Sequence, residues 1–171
     1  MKVFLTMLGA VVALLALVAI VGSLLPRAHT ARRSIVLRQT PEAVWAAISD
    51  FAAQPSWRTD VTRVELVGGG PDGAVWREAG RNTLSYRTTE WRPPARLVRS
   101  IADTNLAFGG RWVYELEAVG NGTRLTITEE GEVYNPIFRF IGHMFLNQAA
   151  TIESYLVALA RHFGERASLD P

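Results

Sequence analysis

The hydrophobic and polar positions fall into three regimes along the chain. The first is an unbroken apolar run, Val3 to Leu25, 23 residues without a charge. At 1.5 Å rise per residue a helix of that length crosses a hydrocarbon core of roughly 30 Å. The second regime alternates with a period of two. "SIVLRQ" (Ser34–Gln39) reads as a strand, and six more follow: Val61–Val67, a run from Ala74, Thr83–Trp91, Arg96–Ile101, a run ending near Ala118, and Thr123–Val133. Close turns such as "GGGPDG", "RPPA" and "VGNG" separate them, which predicts an antiparallel meander. The third regime has a period of 3.6. Asn135-Pro136 opens a long helix, predicted over Ile137–Phe163, with Ile141, Met144, Phe145, Gln148, Ile152, Tyr155, Leu156 and Leu159 on one broad face.

One segment interrupts the strands. "TPEAVWAAISDFAAQPSW" (Thr40–Trp57) begins with a hydroxyl cap, a proline at the first helical position and an acid in the first turn. Val44, Ile48 and Phe51 share a face, and Pro55 ends the segment before Trp57. Within the strands the alternation assigns sides. Trp112, Tyr114 and Leu116 share one face, as do Leu125 and Ile127, and as do Leu84 and Tyr86. One side of the sheet is therefore solvated, and the last helix covers the other.

Charge changes the picture only near the apolar run. Lys2, Arg27, Arg32 and Arg33 supply four of the 18 basic residues; from Ser34 onward, 14 basic and 16 acidic residues nearly balance. The arginines that follow the run favour a cytoplasmic body for a single-pass membrane protein. The run is longer than the apolar part of a signal peptide, and "AHT" (Ala28–Thr30) is a poor cleavage site, so a retained anchor is expected. The organisation that follows is an anchor over 1–26, a basic linker over 27–33, a domain over 34–165 and a frayed tail over 166–171. No basic stripe with interleaved aromatics points to nucleic acid. The chain has no cysteine, which excludes disulfides, thiolate catalysis and cysteine-ligated zinc.

The order strand, short helices, six antiparallel strands, long closing helix resembles the START-like, or SRPBCC, superfamily of polyketide cyclase/dehydrase and lipid-transport proteins. The resemblance rests on Thr40–Trp57, on "EWRPPARLVRSI", on "RWVYELEAVGNGTRLTITEEGEV" and on the closing helix. It implies an α+β helix-grip fold, a curved sheet wrapped around the C-terminal helix, with a cavity between them for a hydrophobic small molecule or lipid. It implies no universal catalytic signature and no cofactor.

By face, Trp76, Tyr86, Trp112, Tyr114, Leu125, Ile127, Phe145, Ile152 and Tyr155 point inward, and Trp57 is placed at the cavity rim. Gln148 and Tyr155 are the polar members of the apolar helix face; they serve a ligand or a strand backbone. Glu78, Glu90 and Glu129 sit in the inward phase. Glu78 and Glu129 are weak candidates for general acid or base work, and Glu78 also suits a pairing with Arg99. The three histidines form no metal or catalytic spacing. Phe140, Leu146 and Val157 on the outer helix face suit self-association, bilayer contact or simple exposure. Three functions fit: a membrane-anchored binding domain, a cyclase/dehydratase-type enzyme, and an interaction protein with a filled core.

Overall fold

The structure is a computed structural model that describes residues 2–145 and 147–170. The apolar run forms helix α1 (Lys2–Leu24). The alternating region forms β1 (Ala28–Leu37), β2 (Val61–Gly68), β3 (Val75–Gly80), β4 (Thr83–Arg92), β5 (Arg96–Ile101), β6 (Phe108–Val119) and β7 (Gly122–Val133). Helix α2 (Pro41–Ser49) and a single 3-10 turn (Gln54–Ser56) lie between β1 and β2. Thr40 caps α2, its hydroxyl accepting from the Ala43 amide. All pairings are antiparallel, in the order β2-β3-β4-β5-β6-β7-β1, with the two-residue strand β8 (Leu169–Asp170) on the outer edge of β1. The fold is thus α+β and matches the helix grip expected from the resemblance.

Two boundaries differ from the sequence expectation. Residues 28–33, read as a linker, belong to β1, which pairs with β7 from Ala28↔Glu132 to Leu37↔Thr123. Arg32 and Arg33 concealed the alternation. Ala31 between Thr30 and Arg32 is buried, and the Arg33 guanidinium is neutralised on Glu153 at 2.9 Å. The tail is also tied down: β8 (Leu169–Asp170) adds to the edge of β1 opposite Ser34 and Ile35.

The larger correction concerns the closing helix. It is two helices, α3 (Pro136–Phe145) and α4 (Ala150–His162). Asn135 starts α3, its Oδ1 accepting from the amides of Ile137 and Phe138. Asn147 shapes the turn before α4: Oδ1 accepts from the Ala149 amide at 3.0 Å, and Nδ2 donates to Glu153. An apolar stripe counted through the break therefore joins two faces that point differently.

The core lies between the sheet, α2 and α4. Ile35, Leu37, Val44, Ile48, Leu97, Leu125, Ile127, Ile152, Leu156 and Leu159 are buried there, each contributing about 1.5–3 kcal/mol. Phe51 stacks on Trp76 with 3.8 Å between centroids, and Trp45 meets Trp91 edge-on. Helix α3 instead packs against the end of α1. Gly22 makes this possible, because a Cβ there would collide with the Pro136 carbonyl. Arg139 is buried at this junction. Its Nη1 donates to the Gly22 and Leu25 carbonyls at 3.1 and 3.2 Å, satisfying the open end of α1.

Candidate functional site

Antiparallel register places Arg99 on β5 beside Trp112 on β6, Trp112 beside Glu129 on β7, and Glu129 beside Ala31 on β1. This row runs across the concave face of the sheet. Helix α4 brings Thr151 and Tyr155 over it. Between them opens a cavity of about 910 Å³, lined by mostly apolar surface and also by residues of β1, α3 and the α3–α4 connection. That volume falls in the range of small-molecule sites.

A buried charge cluster forms part of the wall. Glu78 on β3 accepts from Arg58 at 3.0 Å, from Arg99 at 3.2 Å and from the Trp76 indole at 3.0 Å. Arg58 is further held by Gln54 and by Asp60. Gln54 is itself fixed by donating to the Ile48 carbonyl. Arg58 and Arg99 line the cavity; Glu78 lies behind them. The Arg99 guanidinium is caged by rings, 4.7 Å from Trp112 and 5.2–5.6 Å from Tyr86, Tyr114 and Tyr155. Two buried cations share one buried carboxylate, since Asp60 is largely exposed.

Several polar atoms at this wall lack partners. Arg99 Nε, the Tyr114 hydroxyl and the Tyr155 hydroxyl are buried without a hydrogen bond. Burial pushes both phenols up, against the pull of Arg99, and it pushes Tyr114 farther. Burial also works against the charge of Arg58, but the Asp60 hydrogen bond and the Glu78 charge outweigh it and hold the guanidinium above its ordinary value. Burial opposes Arg99 as well; the Tyr114 oxygen and Glu78 more than offset it. Across the cavity, Glu129 accepts from Trp112 at 2.8 Å and from Thr151 at 3.2 Å, with His29 Nε2 3.5 Å away. The His29 ring lies over Gly131, where any Cβ would meet it. The cavity lining carries six arginines against three carboxylates, a balance of formal charge on the positive side. Among the described residues no cluster of three or more His, Asp or Glu side chains could hold a metal ion.

A fold of this shape with a cavity under its helix narrows the possibilities, and comparison with known proteins completes the assignment. The family model described as "Polyketide cyclase / dehydrase and lipid transport" matches residues 28–164. The chain belongs to this family. None of the curated proteins matches the chain. Solved structures share its fold. The Zhui aromatase/cyclase from a Streptomyces species is 11% identical, with TM-score 0.65, covering 79% of this chain and 93% of that one. A START superfamily protein from Mycobacterium smegmatis is 17% identical, with TM-score 0.60, covering 78% and 96%. A Thermobifida fusca protein is 23% identical, with TM-score 0.62, covering 79% and 93%. At these identities the likeness establishes the fold alone.

Of the residues that strand and helix phase placed inward, Tyr86, Trp112, Gln148 and Tyr155 line the cavity. Trp76, Tyr114, Leu125, Ile127 and Ile152 point inward as expected, but they are packed in the core and do not line it. Trp57 is not at the rim; it packs edge-on against Tyr155 and beside His162. Phe145 is the clear miss: it is 72% exposed, because it ends α3 rather than continuing the stripe of α4. Glu78 pairs with Arg99 as its phase suggested, and three donors occupy it, so it has no free role as a base. Glu90 is displaced by a register shift between Thr88 and Glu90 and pairs with Arg92 and Arg96. Phe140 packs at the α1 junction and Val157 is part-exposed, whereas Leu146 lies outside the described residues. Sequence reasoning missed Arg58 and Gln54, which stand outside any periodic pattern, and Thr151, which the apolar stripe of the closing helix passed over. It also set His29 aside, since the histidines show no site spacing along the chain; strand pairing brings it to Glu129.

Proposed function

We propose that this family member is a membrane-anchored binding protein for an amphiphile whose apolar body fills the cavity and whose acidic head group lies toward the Arg58–Arg99–Tyr155 wall. The observation that carries this reading is the imbalance at that wall. Two buried arginines share Glu78, and the Arg99 Nε and Tyr155 hydroxyl remain unpartnered. Buried donors without acceptors cost stability; a ligand oxygen offsets that cost. Helix α1 is long and apolar enough to cross a membrane, and Arg27, Arg32 and Arg33 after it favour a cytoplasmic domain. An anchor of this kind keeps the cavity among lipid-soluble molecules. Native mass spectrometry of the detergent-extracted chain tests the reading: a bound lipid or fatty acid is expected. Absence of any co-purified lipid, with no lipid raising thermal stability, contradicts it.

A second reading rests on Glu129. It faces the cavity with His29 within 3.5 Å, an arrangement suited to moving a proton on a bound ligand. On this reading the chain is a cyclase/dehydratase-type enzyme. Turnover of a polyketide-like substrate that Glu129→Gln abolishes, with binding retained, distinguishes it from the first.

A further inference from the structure

Apart from the span α1, helix α3 carries the densest group of exposed large apolar side chains among the described residues. Phe138, Ile141, Met144 and Phe145 are 56%, 41%, 58% and 72% exposed. At 100° per residue they occupy one arc of about 120°. Its buried side chain, Arg139, points the other way and is committed to the carbonyls of α1, β7 and Tyr134. The position of this helix is set by α1. Gly22 lies against Pro136 and Phe140, and Arg139 bonds Gly22 and Leu25. The bare arc therefore begins beside the last turn of the apolar span, and the two surfaces are continuous.

From this continuity we propose that α3 is an interfacial helix, seated in the bilayer surface beside α1 with Phe138, Ile141, Met144 and Phe145 among the upper acyl chains. This rests on the reading above that α1 spans the membrane. A helix with one apolar arc, joined at a fixed angle to a span, has its lipid-facing depth decided by the span. Tyr134, half-exposed just before α3, stands where interfacial aromatic residues accumulate. The consequence reaches the site. Phe138, Arg139, Gly142 and His143 of α3, with Pro26 and Arg27, line one end of the cavity. That end then opens on the membrane surface, and an amphiphile enters from lipid without crossing water.

The chain contains no cysteine, so single cysteines can be labelled cleanly. The test uses the full chain in nanodiscs, with an environment-sensitive fluorophore on Ile141→Cys, Met144→Cys or Phe145→Cys. Leu14→Cys in α1 marks the membrane interior, and Leu66→Cys, exposed on β2, marks water. Lipids carrying a nitroxide near the head group serve as quenchers. The expected result is blue-shifted emission at all three α3 sites, with head-group nitroxide quenching stronger than at the mid-span Leu14→Cys and none at Leu66→Cys. Water-like emission at the α3 sites overturns the proposal. So does blue-shifted emission that nitroxide lipids do not quench, which would mean that a second copy covers the face. No ligand is needed, so this outcome is separable from whether the cavity binds lipid.

Discussion

Helices α3 and α4 come from one stretch of sequence with one apolar period, yet they do opposite things. Helix α4 buries Ile152, Tyr155, Leu156, Leu159 and Ala160 against the sheet, and the core there is filled. Helix α3 buries Arg139, leaves its apolar arc bare and turns away to the end of α1. The contrast explains the cavity. A continuous helix would lay its next turns along the Trp112–Glu129 row. The break at Asn147 lifts them off, and the space left behind is the pocket. The same apolar residue types thus close a core in one turn and leave an opening three turns earlier.

The comparison can be broken at its strongest point first. Glu78→Ala leaves Arg58 and Arg99 buried without their shared carboxylate, and should cost about 3–5 kcal/mol in denaturant unfolding of the detergent-solubilised chain. Ile152→Ala on α4 should cost about 2–5 kcal/mol by the same measurement, as a core truncation. Met144→Ala, its counterpart on α3, should change stability by less than about 0.5 kcal/mol; equal losses at the two sites would erase the distinction between the helices. Tyr155→Phe should go the other way. Removing a buried hydroxyl that has no partner should raise the stability of the ligand-free protein by about 1 kcal/mol while weakening ligand binding. A merely structural hydroxyl would not split the two readouts.

The smallest effect is confined to alkaline pH. Burial raises the phenol pKa of Tyr86, Tyr114 and Tyr155 above 10.0 in the folded chain. The folded state then holds protons that the unfolded state has released. Stability from these groups is complete below about pH 10 and falls as pH rises through the folded values. In a Tyr134→Phe background, which removes the one exposed tyrosine, phenolate absorbance should therefore appear together with unfolding rather than before it.

Much of this architecture was legible in the chain itself. The bounds of β4, β5, β6 and β7 followed from alternation and turn residues, because burial on one side enforces a period of two. The pairing of Glu78 with Arg99 was legible for the same reason. What failed was local. Arg32 and Arg33 masked the start of β1, since charges at partly solvated strand positions look like linker. Asn147 gave no visible stop, because its effect depends on one side-chain oxygen reaching the Ala149 amide. Phe145 was misjudged as a direct result; Gln148 does line the cavity, but from the α3–α4 connection rather than from a helix face. Arg58 follows a proline-terminated segment without periodicity, so nothing local marked its reach to Glu78.

The central claim is that the cavity's arginine wall selects an acidic head group. Titration calorimetry of the full chain in nanodiscs, with laurate and methyl laurate corrected against empty nanodiscs, tests it most directly. The two ligands share an apolar chain and differ in whether the head carries a charge. Laurate should bind at least about tenfold more tightly, the size of a hydrogen bond to a charged group, and Tyr155→Phe should narrow the gap. Equal affinity of acid and ester, with no change in Tyr155→Phe, would contradict the account.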